Sequence, residues 1–392
     1  MKKISLAVLL IFTHLAALFG QEDTATYANR KLKLSEVNLV SGYYIQDGNN
    51  SAVTGGVGTE HLTDFANNLE IRFIKTDKKQ RTHTWSFDMG IDHYTSASSD
   101  KIDPSTISSA SSADTRFYPS LNWSVKDEVK NYSAGAGLYY SKEYDYISYG
   151  LGLNFSKNSK DNNREFAAHL MVYWDTWKVV LPIELRNGPG KDEHNEARNS
   201  YSGSFTYSQV VNPRLQLAVI LDLIYQQGLL ATKYQRVYFS DMTEKSETLP
   251  DTRFKLPIGL RLHYFLADRY ILRGFLRYYN DNWGINGYTA ELEVPIKISP
   301  FFSLSPFYRF YTQTAAQYFA PYAFHAPGDG YFTSDYDLSA FNSQFFGSGI
   351  RWVPENGILR MKHFTSLELR YGHYLRSNGL TSDIVTASLG FK

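Results

Sequence analysis

Apolar and polar residues alternate one for one along much of this chain, in segments of about ten residues separated by turn-forming residues. Leu256, Ile258, Leu260, Leu262 and Tyr264 fall on one face of such a segment, and Lys255, Pro257, Gly259, Arg261 and His263 on the other. The next segment sets Tyr270, Leu272, Leu276 and Tyr278 against Arg273, Phe275 and Arg277, with Leu266, Ala267 and Asp268 between the two. Period two with so short a connection predicts a β-hairpin with one apolar and one wet face.

Some seventeen segments read as strands, from SEVNLVSGYY through NLEIRFI and HTWSFDMGIDHY to WKVVLPIELR and the C-terminal DIVTASLGFK. Repeated amphipathic hairpins with nothing else to bury their Leu and Val faces predict a transmembrane antiparallel β-barrel. An even strand number sets the expectation at about sixteen, within fourteen to eighteen. Closure is obligatory, because an unpaired backbone group in hydrocarbon costs several kcal/mol. With both chain ends in the periplasm, the turns at LADR, ISP and VNP fall on that side and the long loops 226–253 and 313–343 fall outside. That parity misplaces the Ser-rich loop 95–116, so one supposed strand between residues 34 and 145 is expected to be wrong. Residues 34–66 read equally as a wall segment or as a luminal one. The aromatic pairs Tyr43/Tyr44, Tyr139/Tyr140, Trp174/Trp177, Tyr278/Tyr279 and Phe301/Phe302 are expected to anchor the barrel at the two interfaces.

Residues 1–20 have the form of a signal peptide: Lys2 and Lys3, an apolar run from Ile4 to Phe19, then Gly20 before a polar stretch. A short periplasmic segment, 21–33, would follow, and 34–392 would be the outer-membrane barrel. Aromatics at 16%, with 30 Tyr and 25 Phe, suit a barrel with interfacial girdles better than a soluble domain. The absence of cysteine excludes lipid anchoring through cysteine and thiolate metal sites. A net charge of +1 argues against nucleic acid as a partner; the expected contacts are outer-membrane lipid and the assembly machinery that reads an amphipathic last strand.

The inferred inner face of the C-terminal half carries the chemistry: Arg261, Arg273, Arg277, Glu291, Glu293, Arg309, Arg351, Glu368 and Arg370. One reading is a ladder of cross-strand ion pairs, and the other is a field across an aqueous pore. The loop 313–343 is rich in Tyr and Phe and is expected to fold into the mouth or to form a surface on the rim. Its Asp329, Asp335 and Asp337 have carboxylates suited to calcium but match no EF-hand spacing. Gly55, Gly56 and Gly58 lack the residues of a phosphate loop. No nucleophile set or zinc motif stands out, Asp92 and His93 point to opposite faces, and His169 faces the lumen alone. No cofactor, metal or catalytic residue is assigned.

The blocks EVNLVSGYYIQDGNNSAVTGGVGTEHLTDFANN, GIDHYTSASSDKIDPSTISSASSADTRFYPS, SKDNNREF, RFKLPIGLRLHYFLADRYILR and LEVPIKISPFFSLSPFYRFYTQTAAQYFAPY resemble a family of uncharacterised Gram-negative outer-membrane β-barrels, a domain of unknown function. The resemblance covers nearly all of the mature chain. It implies the barrel fold and, through the proteins expected to be encoded alongside, periplasmic redox partners. It implies no activity and no catalytic residue. The functional expectation is a non-enzymatic channel, or a scaffold of a redox-linked envelope complex, with the solute unassigned; the alternative is an outer-membrane enzyme, lipid-modifying or hydrolytic, with its site at the extracellular loop face.

Overall fold

A computed structural model describes residues 31–95, 113–187 and 194–392; the expected signal peptide and most of the Ser-rich loop lie outside these residues. The strands are β1 Lys33–Asp47, β2 Leu62–Thr76, β3 Thr82–Thr95, β4 Ala113–Asp127, β5 Tyr132–Lys142, β6 Tyr146–Asn158 and β7 Arg164–Lys178. They continue with β8 Asn195–Asn212, β9 Leu215–Gly228, β10 Arg236–Tyr238, β11 Glu244–Ser246, β12 Thr252–Phe265 and β13 Ile271–Asp281. The last are β14 Asn286–Glu293, β15 Ile296–Ser299, β16 Phe302–Gln313, β17 Phe341–Trp352, β18 Phe364–Arg376 and β19 Thr381–Phe391.

All but β10 and β11 belong to one antiparallel sheet, in which each strand pairs with its sequence neighbours. The sheet closes where β1 pairs with β19, from Val37 opposite Phe391 to Asp47 opposite Thr381. β14 and β15 are two parts of one stave: both pair with β16, and the break falls at Pro295, which has no N–H to give the ladder. The barrel thus has sixteen staves. β1 is a wall stave, so residues 34–66 are not luminal, and only the β1–β2 connection leaves the wall.

The supernumerary segment is WKVVLPIELR, not one between residues 34 and 145. β7 ends at Lys178, and Ile183–Leu185 is a turn of 3-10 helix. Val179 and Val180 are buried, so an apolar run that looked lipid-facing is covered by protein. With that segment removed, the connection after β3 falls on the same side as the other long loops, and both ends of the sheet lie on the short-turn side.

The faces sort as the alternation predicts. Leu260, Leu276, Ala290 and Phe310 lie in one register row around the outside, and all are exposed. On the other face Arg370 lies 3.1 Å from Glu293, although the staves β16 and β17 stand between theirs, a contact open only to the concave side. Adjacent aromatics in a strand cannot both anchor to lipid, because successive side chains alternate. Tyr43, Tyr140, Trp174 and Tyr278 point outward. Tyr44, Tyr139, Trp177 and Tyr279 turn inward onto Gln46, Asn122, Arg198 and Asp281. At the short-turn end Trp85 and Trp123 sandwich His83, with ring centroids 5.7 and 5.9 Å away, forming part of the girdle there.

Candidate functional site: the lumen and its mouth

All nine residues singled out on the C-terminal half stand on the concave face in the observed register. Three ion pairs join five of them: Arg273–Glu293 at 3.1 Å, Arg370–Glu293 at 3.1 Å and Arg351–Glu368 at 3.8 Å. Arg309 lies over the Phe345 ring, 4.8 Å from its centroid, rather than against Glu291, its register partner. Among the described residues Arg261, Arg277 and Arg309 have no carboxylate within ion-pair distance. The ladder therefore takes up part of the charge and leaves a basic strip.

The opposite wall has the other sign, which the reading of the C-terminal half alone missed. Asp64, Asp88 and Asp92 point inward from β2 and β3. Asp88 accepts from Ser120 Oγ at 3.1 Å and Asn122 Nδ2 at 3.3 Å, and Asp92 from the Tyr118 hydroxyl at 2.8 Å, all neutral donors. As expected, His93 points to the other face and meets Thr115. In a ring of sixteen staves, β2 and β3 lie half-way round from β12 and β13, which carry Arg261 and Arg277. Unpaired carboxylates thus face unpaired guanidinium groups across the lumen. The signal was present as inward-facing Asp at i and i+4 in HTWSFDMGIDHY, but that pattern gains meaning only once the closure of the ring is known.

Between the two walls there is room for water. The inner faces of β5, β6 and β8 present Gly135, Gly137, Gly150, Gly152, Ser200, Ser202 and Ser204. A Cβ at Gly150 would come within 2.6 Å of the Tyr173 ring, so this glycine is what lets the ring lie flat on the wall. The space against this part of the wall is a cavity of about 660 Å³ lined by Asp88, Arg116, Tyr118, Tyr139, Asp175 and Arg198, among others.

The long-loop end is covered by a folded layer. Its core is Val237, Phe239 and Phe332, with the two Phe rings edge to face at 4.9 Å. A second cluster of Trp283, Ile285 and Ala316 packs with Leu230, Leu249, Tyr279, Tyr318 and Leu338. The loop at 313–343 thus folds inward and uses Phe332 and Tyr318 as core, while Phe324 and Tyr331 stay exposed. Its carboxylates do not gather: Asp329 accepts from Ala326 N–H, Asp335 caps the turn at Tyr336–Leu338, and Asp337 binds Arg376 at 2.6 Å. The β1–β2 loop joins the layer through Gly55 and Gly56, whose φ of 85° and 87° allow close approach to Tyr238 and Ser334. Arg236 Nη1 donates to Val53 O at 2.8 Å, linking a loop between β9 and β12 to one between β1 and β2, connections half-way round the ring from each other. The layer therefore crosses the mouth rather than lining its rim.

A closed sixteen-stranded barrel with an apolar outside, a charged and hollow inside and a loop layer across one mouth defines a protein of the outer-membrane β-barrel class. Within that class the chain belongs to the family described as Protein of unknown function (DUF3570), whose model matches residues 74–357. Among curated proteins no sequence relative matches. Among solved structures the chain is similar to a BenF-like porin from Pseudomonas fluorescens Pf-5, at 7% identity and TM-score 0.43 over 91% of this chain and 98% of that one. It is also similar to OccK9 (OpdG) of Pseudomonas aeruginosa, at 7% identity and TM-score 0.43 over 92% and 98%. A TodX monoaromatic hydrocarbon channel mutant gives 10% identity and TM-score 0.40 over 96% and 92%. These likenesses concern the fold alone.

Proposed function

We propose that the protein is a non-enzymatic channel of the outer membrane, passing small polar solutes through a water-filled lumen polarised between its two walls. The observation that carries this is the combination of Gly and Ser on the inner face of β5, β6 and β8 with a cavity of about 660 Å³ against them. Sixteen staves enclose more space than such side chains can fill, and barrels of this size leave an aqueous passage unless something plugs them. The loop layer ties down the mouth between the β1–β2 and β9–β12 connections. The cavity lies to one side of that span, against β3 to β8, and this is the path assigned to the solute. Opposed unpaired Asp and Arg orient a solute that carries separated charges, because a low-dielectric wall focuses the field into the lumen.

The test is single-channel recording on the refolded protein in a planar bilayer. Discrete conductance steps that persist in the absence of any partner are the expected result. A barrel that shows heat-modifiable migration yet conducts nothing overturns the channel reading.

A further inference from the structure

The geometry points to a calcium site at the loop end of β4 to β6, formed by the carboxylates of Asp114, Glu143 and Asp145. Carboxylate oxygens of the three lie within 4.8 Å of one another, in the only such grouping of potential ligands among the described residues. A cluster of acids is not in itself a site, and a further observation bears on this one. Asp145 is 6% exposed, and its Oδ2 is fully buried without a hydrogen-bond donor, where such an oxygen ordinarily finds a partner. Arg116 Nε stands 3.5 Å from Glu143 Oε1 and donates to Ser141, and the Lys178 ammonium lies over the Tyr144 ring. Two of the three carboxylates belong to buried residues.

The choice of ion follows from ligand type. Ligands made only of oxygen select a hard cation, and calcium takes six to eight of them at about 2.3 to 2.6 Å in irregular arrangements. Magnesium, which demands a near-ideal octahedron and keeps several of its waters, suits a cluster of three carboxylates from two strand ends less well than calcium does. The Tyr94 hydroxyl, 2.6 Å from Glu143 Oε2, is within reach as a further oxygen. A cleft of about 450 Å³ lined by Asp114, Thr115, Lys142, Glu143 and Tyr144 provides an entry. A calcium ion there would tie the start of β4 to the β5–β6 turn, adding to the hydrogen bond that Tyr144 N–H gives Asp114 Oδ2.

The experiment is calcium titration of the refolded full-length barrel in detergent and chelator-free buffer, followed by calorimetry and by tryptophan fluorescence, since Trp177 is the register partner of Tyr146, next to Asp145. Saturable binding of one calcium per chain is expected, with a Kd on the order of 10⁻⁴ to 10⁻³ M as in extracellular modules. Asp145→Asn should weaken it at least about tenfold, the loss that follows removal of even a supporting group. Asp241→Asn, in the loop layer, should leave it unchanged. No saturable binding by the wild type at millimolar calcium overturns the site, as does equal binding by Asp145→Asn. The wild-type titration decides the matter even if the variant does not refold.

Discussion

Arg236 holds Glu184 through two hydrogen bonds, of 2.6 and 2.9 Å, and reaches the Val53 carbonyl with a third of 2.8 Å, so a single guanidinium joins three loops. Arg236 is 6% exposed, whereas the Glu184 side chain is 33% exposed. Arg236→Gln therefore costs the loop layer about 1.5 to 3 kcal/mol, the lower part of that range if Glu184 regains water. The barrel wall should not feel the change. Hydrogen exchange is expected to accelerate at the Val237 and Phe239 amides and stay constant in β3 and β18. Equal acceleration in the wall would mean that the layer and the barrel open together.

A second prediction concerns the facing of β12. Leu260 points to lipid near mid-strand and Arg261 to the lumen, one residue apart. Leu260→Arg should cost roughly 2 to 4 kcal/mol, and Arg261→Gln far less, since water already reaches the inner position. Heat-modifiable migration of barrels refolded into lipid measures both. Comparable losses at the two positions would contradict the assigned faces.

The same alternation explains what could be read from the sequence. A strand with one face in lipid and one in water writes its period directly into the residue order, so the hairpin of β12 and β13 and the terminal β19 were legible with their faces. WKVVLPIELR misled because Val179 and Val180 are buried within the protein, and a residue covered by protein looks no different in sequence from one covered by lipid. The basic strip was visible because its strands are neighbours in sequence. Its opposition to Asp64, Asp88 and Asp92 was not, because it depends on the pairing of β1 with β19, a contact between the two ends of the chain. The calcium ligands escaped for a similar reason: Asp114 sits at the far side of a long connection from β3, and no spacing rule relates it to Glu143 and Asp145.

The loop layer should also respond to pH. Glu247 is 2% exposed, and burial, together with the charge of Asp335, pushes its carboxyl from 4.5 up to about 8 while Thr333 Oγ1 and Thr232 N–H donate to it. Between those two values the packed layer holds a proton that an opened layer releases. Raising the pH therefore favours opening. The contribution is complete below about pH 4.5 and is lost as pH rises through about 8. Protease nicking of the 229–251 loop should quicken from pH 5 to about pH 8 and then level off, and Glu247→Gln should flatten the profile. A rate that falls with pH would require Glu247 to be charged inside the layer.

The two walls of the lumen offer the sharpest separation of structure from transport. Replacing Arg261 and Arg277 together by Gln removes unpaired positive charge from one side; replacing Asp88 and Asp92 by Asn removes negative charge from the other. Reversal potentials under a salt gradient should move toward cation preference in the first case and toward anion preference in the second. Both shifts should shrink as salt rises from 0.1 M to 1 M, where the screening length falls from about 10 Å to about 3 Å. Arg273→Gln should move the potential less, because Glu293, which it leaves, is still held by Arg370 at 3.1 Å. Opposite shifts from opposite walls place the permeating ion between them. Shifts of the same sign, or none, would mean that the current runs elsewhere and that the segregated charge serves only to hold the staves in place.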